Sequence, residues 1–169
     1  DPGLPYLGVV PHGVVPRRFR VGEGGRHLPV LARIHPDKGI REAILFARKS
    51  RLPLKIAGPI QDEAYFQNEV APLLGEGVEF LGPVDPETRQ TLLDGAIALL
   101  HFVNFKEPFG LAPVEAMMSG VPVLARPLGA LPETVRHGET GFLVRDCEEA
   151  LEHLEAVRRP DSRAIRRYA

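Results

Sequence analysis

The chain has one cysteine in 169 residues, Cys147. That excludes an intrachain disulfide and fits a reducing compartment, so a cytoplasmic location is expected. No apolar run approaches the ~20 residues that span a bilayer, and no signal-peptide pattern opens the chain. The formal net charge is only −1. No broad basic field exists for a phosphate backbone to meet, and a nucleic-acid partner is not expected. The single basic cluster, Arg158, Arg159, Arg163, Arg166 and Arg167, follows acidic residues Glu148, Glu149, Glu152 and Glu155. It reads as the solvated face of a helix. The six histidines (12, 27, 35, 101, 137, 153) lack ligand spacing, and no metal site is expected. No serine elbow and no Gly-Lys-Ser/Thr phosphate loop occur. Gly22-Glu23-Gly24-Gly25 is half of a dinucleotide fingerprint, but it precedes a strand instead of following one, which argues against NAD. Asparagine is confined to Asn68 and Asn104, and arginine outnumbers lysine 17 to 4. Heat adaptation and a GC-rich genome both give that bias, and the choice stays open.

What is present is a chain with 44% apolar residues, enough for one compact domain with its own core. Strand-like runs at 6–10, 28–34, 54–57, 78–81, 96–102, 121–125 and 142–144 alternate with helix-like runs at 39–50, 62–74, 86–94, 113–119, 131–136 and 146–158. In the run 39–50, Ile40, Ala43, Ile44 and Ala47 recur at helical spacing; Asp62 is placed to cap the next helix, and Pro86 sits at a favoured first position. A further helix is expected from Asp161. Short apolar strands alternating with helices predict an α/β fold: a Rossmann-like, doubly wound parallel sheet covered by helices on both faces. Right-handed crossovers put the C-terminal end of every strand on one edge, and ligands bind in the crevice outside it. The segments to inspect are therefore 33–39, 58–59, 82–85, 105–111 and 126–131.

Two of these segments carry chemistry. Glu107-Pro108-Phe109-Gly110-Leu111-Ala112-Pro113-Val114-Glu115 leaves the strand at 96–102 and opens a helix. A glycine loop at a helix N-terminus favours negative charge, because unpaired N–H groups and the helix dipole both face it. Carboxylates do the opposite work and accept hydrogen bonds from hydroxyls. A site with both features suits a ligand with both groups, such as a nucleoside diphosphate sugar. Glu107 would take the sugar hydroxyls. Glu115, two residues beyond Pro113 and so expected in the first helical turn, would take the ribose, although the dipole alone favours an acid there. Phe109, Gly110 and Leu111 would act through their backbone N–H groups, with the Leu111 side chain turned inward. At the first strong strand end, Arg33 and Lys38 are two cations able to clamp a diphosphate, the arginine as a fork and the lysine as a point charge.

These residues resemble the donor-binding half of the retaining family 4 glycosyltransferases, which have the two-Rossmann-domain GT-B architecture. The likeness runs through most of the chain. It lies in Val10-Pro11-His12-Gly13-Val14 with Arg17-Arg18-Phe19, in Arg33 with Lys38-Gly39, in the stretch 78–84, in the E-x7-E element from Glu107 to Glu115, and in Leu131-Pro132-Glu133-Thr134-Val135 with 137–144. Ala32 replaces a glycine usual in the family, and His12 an asparagine. The resemblance implies a hexosyltransferase using a nucleoside diphosphate sugar and no metal cofactor. It implies catalytic roles for Arg33, Lys38 and Glu107, and donor binding by Val84, Phe109, Gly110, Leu111 and Glu115, with Val84 and Pro59 bordering the base. It further implies that residues 1–169 form a single donor domain, that the N-terminal acceptor domain is absent from this chain, and that the fragment binds donor but turns over poorly. The acceptor is unknown, and a peripheral membrane acceptor stays open. The rival classes are a sugar-nucleotide epimerase or phosphorylase and a nonenzymatic sugar-nucleotide-binding or regulatory module. A phosphorylase would need a cofactor lysine that has no candidate. A receiver module would need clustered carboxylates at strand ends that here carry Arg33-Ile34-His35 and Gly82-Pro83-Val84.

Overall fold

The computed structural model describes residues 8, 10, 12–158 and 160–169. Of the strand expected at 6–10, residues 6, 7 and 9 lie outside the described residues, as do Pro11 and Arg159. Among the described residues six strands form two parallel ladders. One joins β1 (Leu28–Leu31), β2 (Leu54–Ala57) and β3 (Val78–Gly82); the other joins β4 (Leu99–His101), β5 (Val123–Ala125) and β6 (Gly141–Leu143). β1 lies beside β4, and a parallel bridge between His27 and Ala96 ties the ladders, with Ile97 N–H donating to His27 O at 2.8 Å. The order is therefore 3-2-1-4-5-6, with the switch between β1 and β4 where an open α/β sheet binds ligands.

Both faces of the sheet are covered. Alternate β4 and β5 residues go to opposite sides: Leu100 and Leu124 join the core cluster around Phe46 and Ile44, and Leu99, Val123 and Ala125 join the one around Leu93 and Met117. The first cluster is closed by α1 (Ile40–Ser50), which buries Ile40, Ala43, Ile44, Phe46 and Ala47. Phe46 meets Phe102 edge-on with centroids 5.7 Å apart. Fully burying such a side chain contributes about 1.5–3 kcal/mol.

After β2 the expected helix 62–74 is broken into α2 (Glu63–Tyr65), a π turn (Phe66–Val70) and a 3-10 turn (Ala71–Leu73). Pro72 is the cause: it has no N–H to continue the ladder, and its ring crowds the preceding turn. Asp62 does cap this segment, accepting from Tyr65 N–H at 2.8 Å. α3 (Pro86–Asp94) has the expected bounds, with Asp85 Oδ1 accepting from Glu87 and Thr88 N–H, both at 2.9 Å. α4 (Leu111–Met118), α5 (Leu131–Thr134) and α8 (Ser162–Tyr168) contribute Met117, Leu131 and Ile165 to the second cluster. The helix expected over 146–158 is two, α6 (Cys147–Glu152) and α7 (Leu154–Val157); His153 leaves helical geometry and stacks on Phe142 with centroids 4.2 Å apart. Among the described residues no helix is long and apolar enough to cross a membrane.

Candidate functional site

The loops after β1, β2, β3 and β4 converge on one cavity of about 610 Å³. Arg33, Lys38, Val84, Glu107, Phe109, Gly110, Leu111 and Glu115 all line it, and so does Pro59. Its size falls in the ~300–1,000 Å³ range of small-molecule sites. A separate cavity of about 380 Å³, lined by Gly22, Ala96, Ser119 and Pro122 among others, lies at the opposite edge and touches none of the eight.

Local chain geometry brings the cations in. After β1, His35 precedes a 3-10 turn (Pro36–Lys38) that ends on Gly39 with φ 65°. A Cβ on Gly39 would stand 1.9 Å from Phe102 O, so only glycine lets this turn press against the end of β4. Asn104 N–H donating to Asp37 O at 2.7 Å fastens the same junction. Lys38 is thereby delivered to the β4 loop. Its Nζ lies 3.0 Å from Glu107 Oε2 and 4.2 Å from the Phe105 ring centroid. Arg33 Nη2 lies 2.6 Å from Asp37 Oδ2. Burial pushes the Asp37 carboxyl up, but Arg33 and His35 outweigh it and hold the group below its ordinary value.

Glu107 is the most perturbed acid. Its loop is held from behind by Gly129, whose missing Cβ would stand 2.2 Å from Glu107 O, and by Ala130 N–H donating to Glu107 O at 2.8 Å. The carboxyl is lowered from 4.5 to about 2, first by the His101 imidazole and then by Lys38, against burial, which raises it. Geometry ranks the two partners the other way. The Lys38 contact at 3.0 Å is a complete hydrogen bond, whereas His101 Nε2, 3.5 Å from the same oxygen, makes no proper one. The lysine is therefore the closer and better-aligned partner of the carboxylate.

α4 is preceded by its N-cap Gly110, with φ 88°, and starts at Leu111. The helix therefore begins two residues earlier than the sequence implied. Pro113 sits at its third position, where backbone N–H groups have no intrahelical partner and proline costs little. Two corrections follow. Glu115 lies in the second turn, and the first turn contains no acid, so the helix dipole is no explanation for it. Leu111 does not point inward: it is 48% exposed, at the mouth of the cavity. Phe109 is half-buried, facing the His12 ring edge-on at 5.4 Å.

Two further residues escaped the sequence reading. Arg89 on α3 pairs with Glu115 at 2.8 Å, and His101 stands under Glu107. Neither gives a linear signal, since Arg89 resembles any charged helix residue and His101 any core residue of an alternating strand. Among the described residues no group of three or more His, Cys, Asp or Glu side chains gathers to hold a metal ion.

Against known proteins, residues 16–161 match the family described as Glycosyl transferases group 1. The chain belongs to this family. A D-inositol 3-phosphate glycosyltransferase of Rhodococcus erythropolis is 36% identical over 156 residues, which are 84% of this chain and 34% of the relative. AviGT4, a glycosyltransferase involved in avilamycin A biosynthesis, superposes with a TM-score of 0.81 at 30% identity, over 95% of this chain and 51% of its own. Anabaena HepE, solved with UDP-glucose, shares the fold at a TM-score of 0.69 and 24% identity, over 85% of this chain and 42% of its own. The group 1 chain described here thus has the Rossmann-like α/β domain of GT-B enzymes, and spans about a third of the Rhodococcus relative and half of the AviGT4 chain.

Proposed function

We propose that this chain is the donor-binding domain of a retaining, family 4 glycosyltransferase of the hexosyl-transferring type, which takes its sugar from a nucleoside diphosphate sugar. The observation that carries the reading is the meeting of Arg33, Lys38, Glu107 and Glu115 around one cavity at the C-terminal edge of the sheet. Arg33 and Lys38 take the diphosphate, exchanging their internal carboxylate partners for phosphate oxygens. The N-terminus of α4, with the backbone of Phe109, Gly110 and Leu111, adds partial positive charge beside it. Negative charge grows on the nucleotide as the glycosidic bond breaks, and fixed cations stabilise that growing charge without a metal ion. Glu107 accepts from the sugar hydroxyls, Glu115 from the ribose, and the backbone at Val84 with Pro59 borders the base.

The acceptor belongs, in this reading, to an N-terminal domain that faces the cavity across a cleft. The chain spans about a third of the Rhodococcus relative and half of AviGT4, which leaves length in both for a further domain. Calorimetric titration of the chain with UDP, GDP and ADP tests the reading. At least one is expected to bind with a Kd between about 1 µM and 1 mM, or roughly −8 to −4 kcal/mol. No binding of any of the three at millimolar concentration would overturn it.

A further inference from the structure

His101 is a buried histidine without a conventional partner. It ends β4, its side chain is 7% exposed, and its Nε2 makes no hydrogen bond. A buried polar atom left unpaired costs free energy, and such atoms are rare in folded chains. The nearest acceptor is Glu107 Oε2 at 3.5 Å, about 0.5 Å beyond a good N–H···O contact. That oxygen is already engaged by Lys38 Nζ at 3.0 Å. One carboxylate oxygen thus faces two donors, one bonded and one waiting.

We infer that His101 is a positioning residue that takes over Glu107 when Lys38 turns to the donor diphosphate. The inference rests on the donor reading above and deepens it. A diphosphate carries more negative charge than one carboxylate, so it draws the ammonium away from Glu107. Left alone, the carboxylate would lose its orientation as the sugar arrives. His101 Nε2–H then closes on Oε2 and leaves Oε1 free to accept from a sugar hydroxyl. Both ends of this contact are held by backbone. Arg126 N–H donates to His101 O at 3.3 Å, within the pairing of His101 with Ala125, and Ala130 N–H donates to Glu107 O at 2.8 Å. Only side-chain rotation is needed to close the gap. The imidazole also contributes to holding the Glu107 carboxyl ionised.

The test separates sugar from nucleotide. The chain is titrated with the tightest-binding of UDP, GDP and ADP, and with its ester, UDP-glucose, GDP-mannose or ADP-glucose. His101→Leu is expected to weaken the diphosphate only a few-fold, since the released Glu107 then lacks a partner, and to weaken the ester about tenfold, the worth of one hydrogen bond to a charged group. His101→Gln, whose amide N–H reaches the place of Nε2–H, is expected to restore most of that loss. Equal weakening of both ligands, an unchanged ester, or Gln no better than Leu would overturn the assignment. A crystal structure of the unaltered chain with the ester bound checks the same exchange independently of any variant. It should show His101 Nε2 within hydrogen-bond distance of Oε2 and Lys38 Nζ displaced from it. Lys38 still seated on Glu107 would contradict the proposal. Failure of the unaltered chain to bind any of the diphosphates strikes the donor reading itself, and the inference falls with it.

Discussion

Replacing Glu107 with Gln keeps the side chain's shape and removes its charge, and the consequence depends on pH. In the folded chain this carboxyl is lowered from 4.5 to about 2, by the His101 imidazole and Lys38 acting against burial. At about 1.4 kcal/mol per pKa unit the whole shift is worth about 3 kcal/mol. The Lys38 and Glu107 side chains are 14% and 12% exposed, and residual screening brings the figure to about 2 kcal/mol. The folded value lies below the unfolded one. The stabilisation is therefore complete above about pH 4.5 and is lost as the pH falls from there towards 2. Urea unfolding of the native chain and of Glu107→Gln, followed by circular dichroism from about pH 7 to pH 2.5, measures the difference. The native chain is expected to be more stable by about 2 kcal/mol at neutral pH, and the gap should narrow across the acid window. A gap that stays constant over that range would refute the ionised Glu107–Lys38 contact.

Glu115→Ala should weaken a ribonucleoside diphosphate more than its 2′-deoxy form, read by parallel titrations; equal loss for both would remove the ribose from Glu115. Gly39→Ala forces a side chain onto a φ of 65° and a Cβ to 1.9 Å from Phe102 O. It should cost at least about 2 kcal/mol in denaturant unfolding and detach Lys38 from the site, seen as weaker nucleotide binding. Phe46→Ala, at the centre of the α1 cluster, should cost about 3–5 kcal/mol while leaving the nucleotide Kd of the folded fraction unchanged.

The alternation of apolar strands and amphipathic helices was legible in the sequence because it depends on local periodicity. α3 and β2 fall on the expected residues for that reason, Asp85 and Pro86 marking one start and Gly58-Pro59 one stop. Where side chains far apart in sequence decide the outcome, the pattern misleads. His153 breaks the last amphipathic run because Phe142, on another element, offers a ring to stack on. β4 covers less than its apolar run because Ala96 meets only the His27 bridge at the ladder junction. At the site, Arg33, Lys38, Glu107 and Glu115 stand out because each lies in a segment that leaves a strand or leads into a helix. Their partners do not. Asp37 is four residues from Arg33 and could have been guessed from spacing, but Arg89 lies 26 residues from Glu115, and His101 under Glu107 reads as core. Pro113 suggests a helix start in the sequence, but the left-handed Gly110 caps the helix and Leu111 begins it, so Glu115 falls a turn later than the pattern implies.

The central claim is that two cations at the sheet edge hold a diphosphate. It is tested most directly by titrating the chain and its Arg33→Ala, Lys38→Ala double variant with the best-binding nucleoside diphosphate and with the corresponding nucleoside. The double variant is expected to bind the diphosphate about a hundredfold more weakly and the nucleoside equally well. Diphosphate binding that survives both substitutions unweakened would contradict the account.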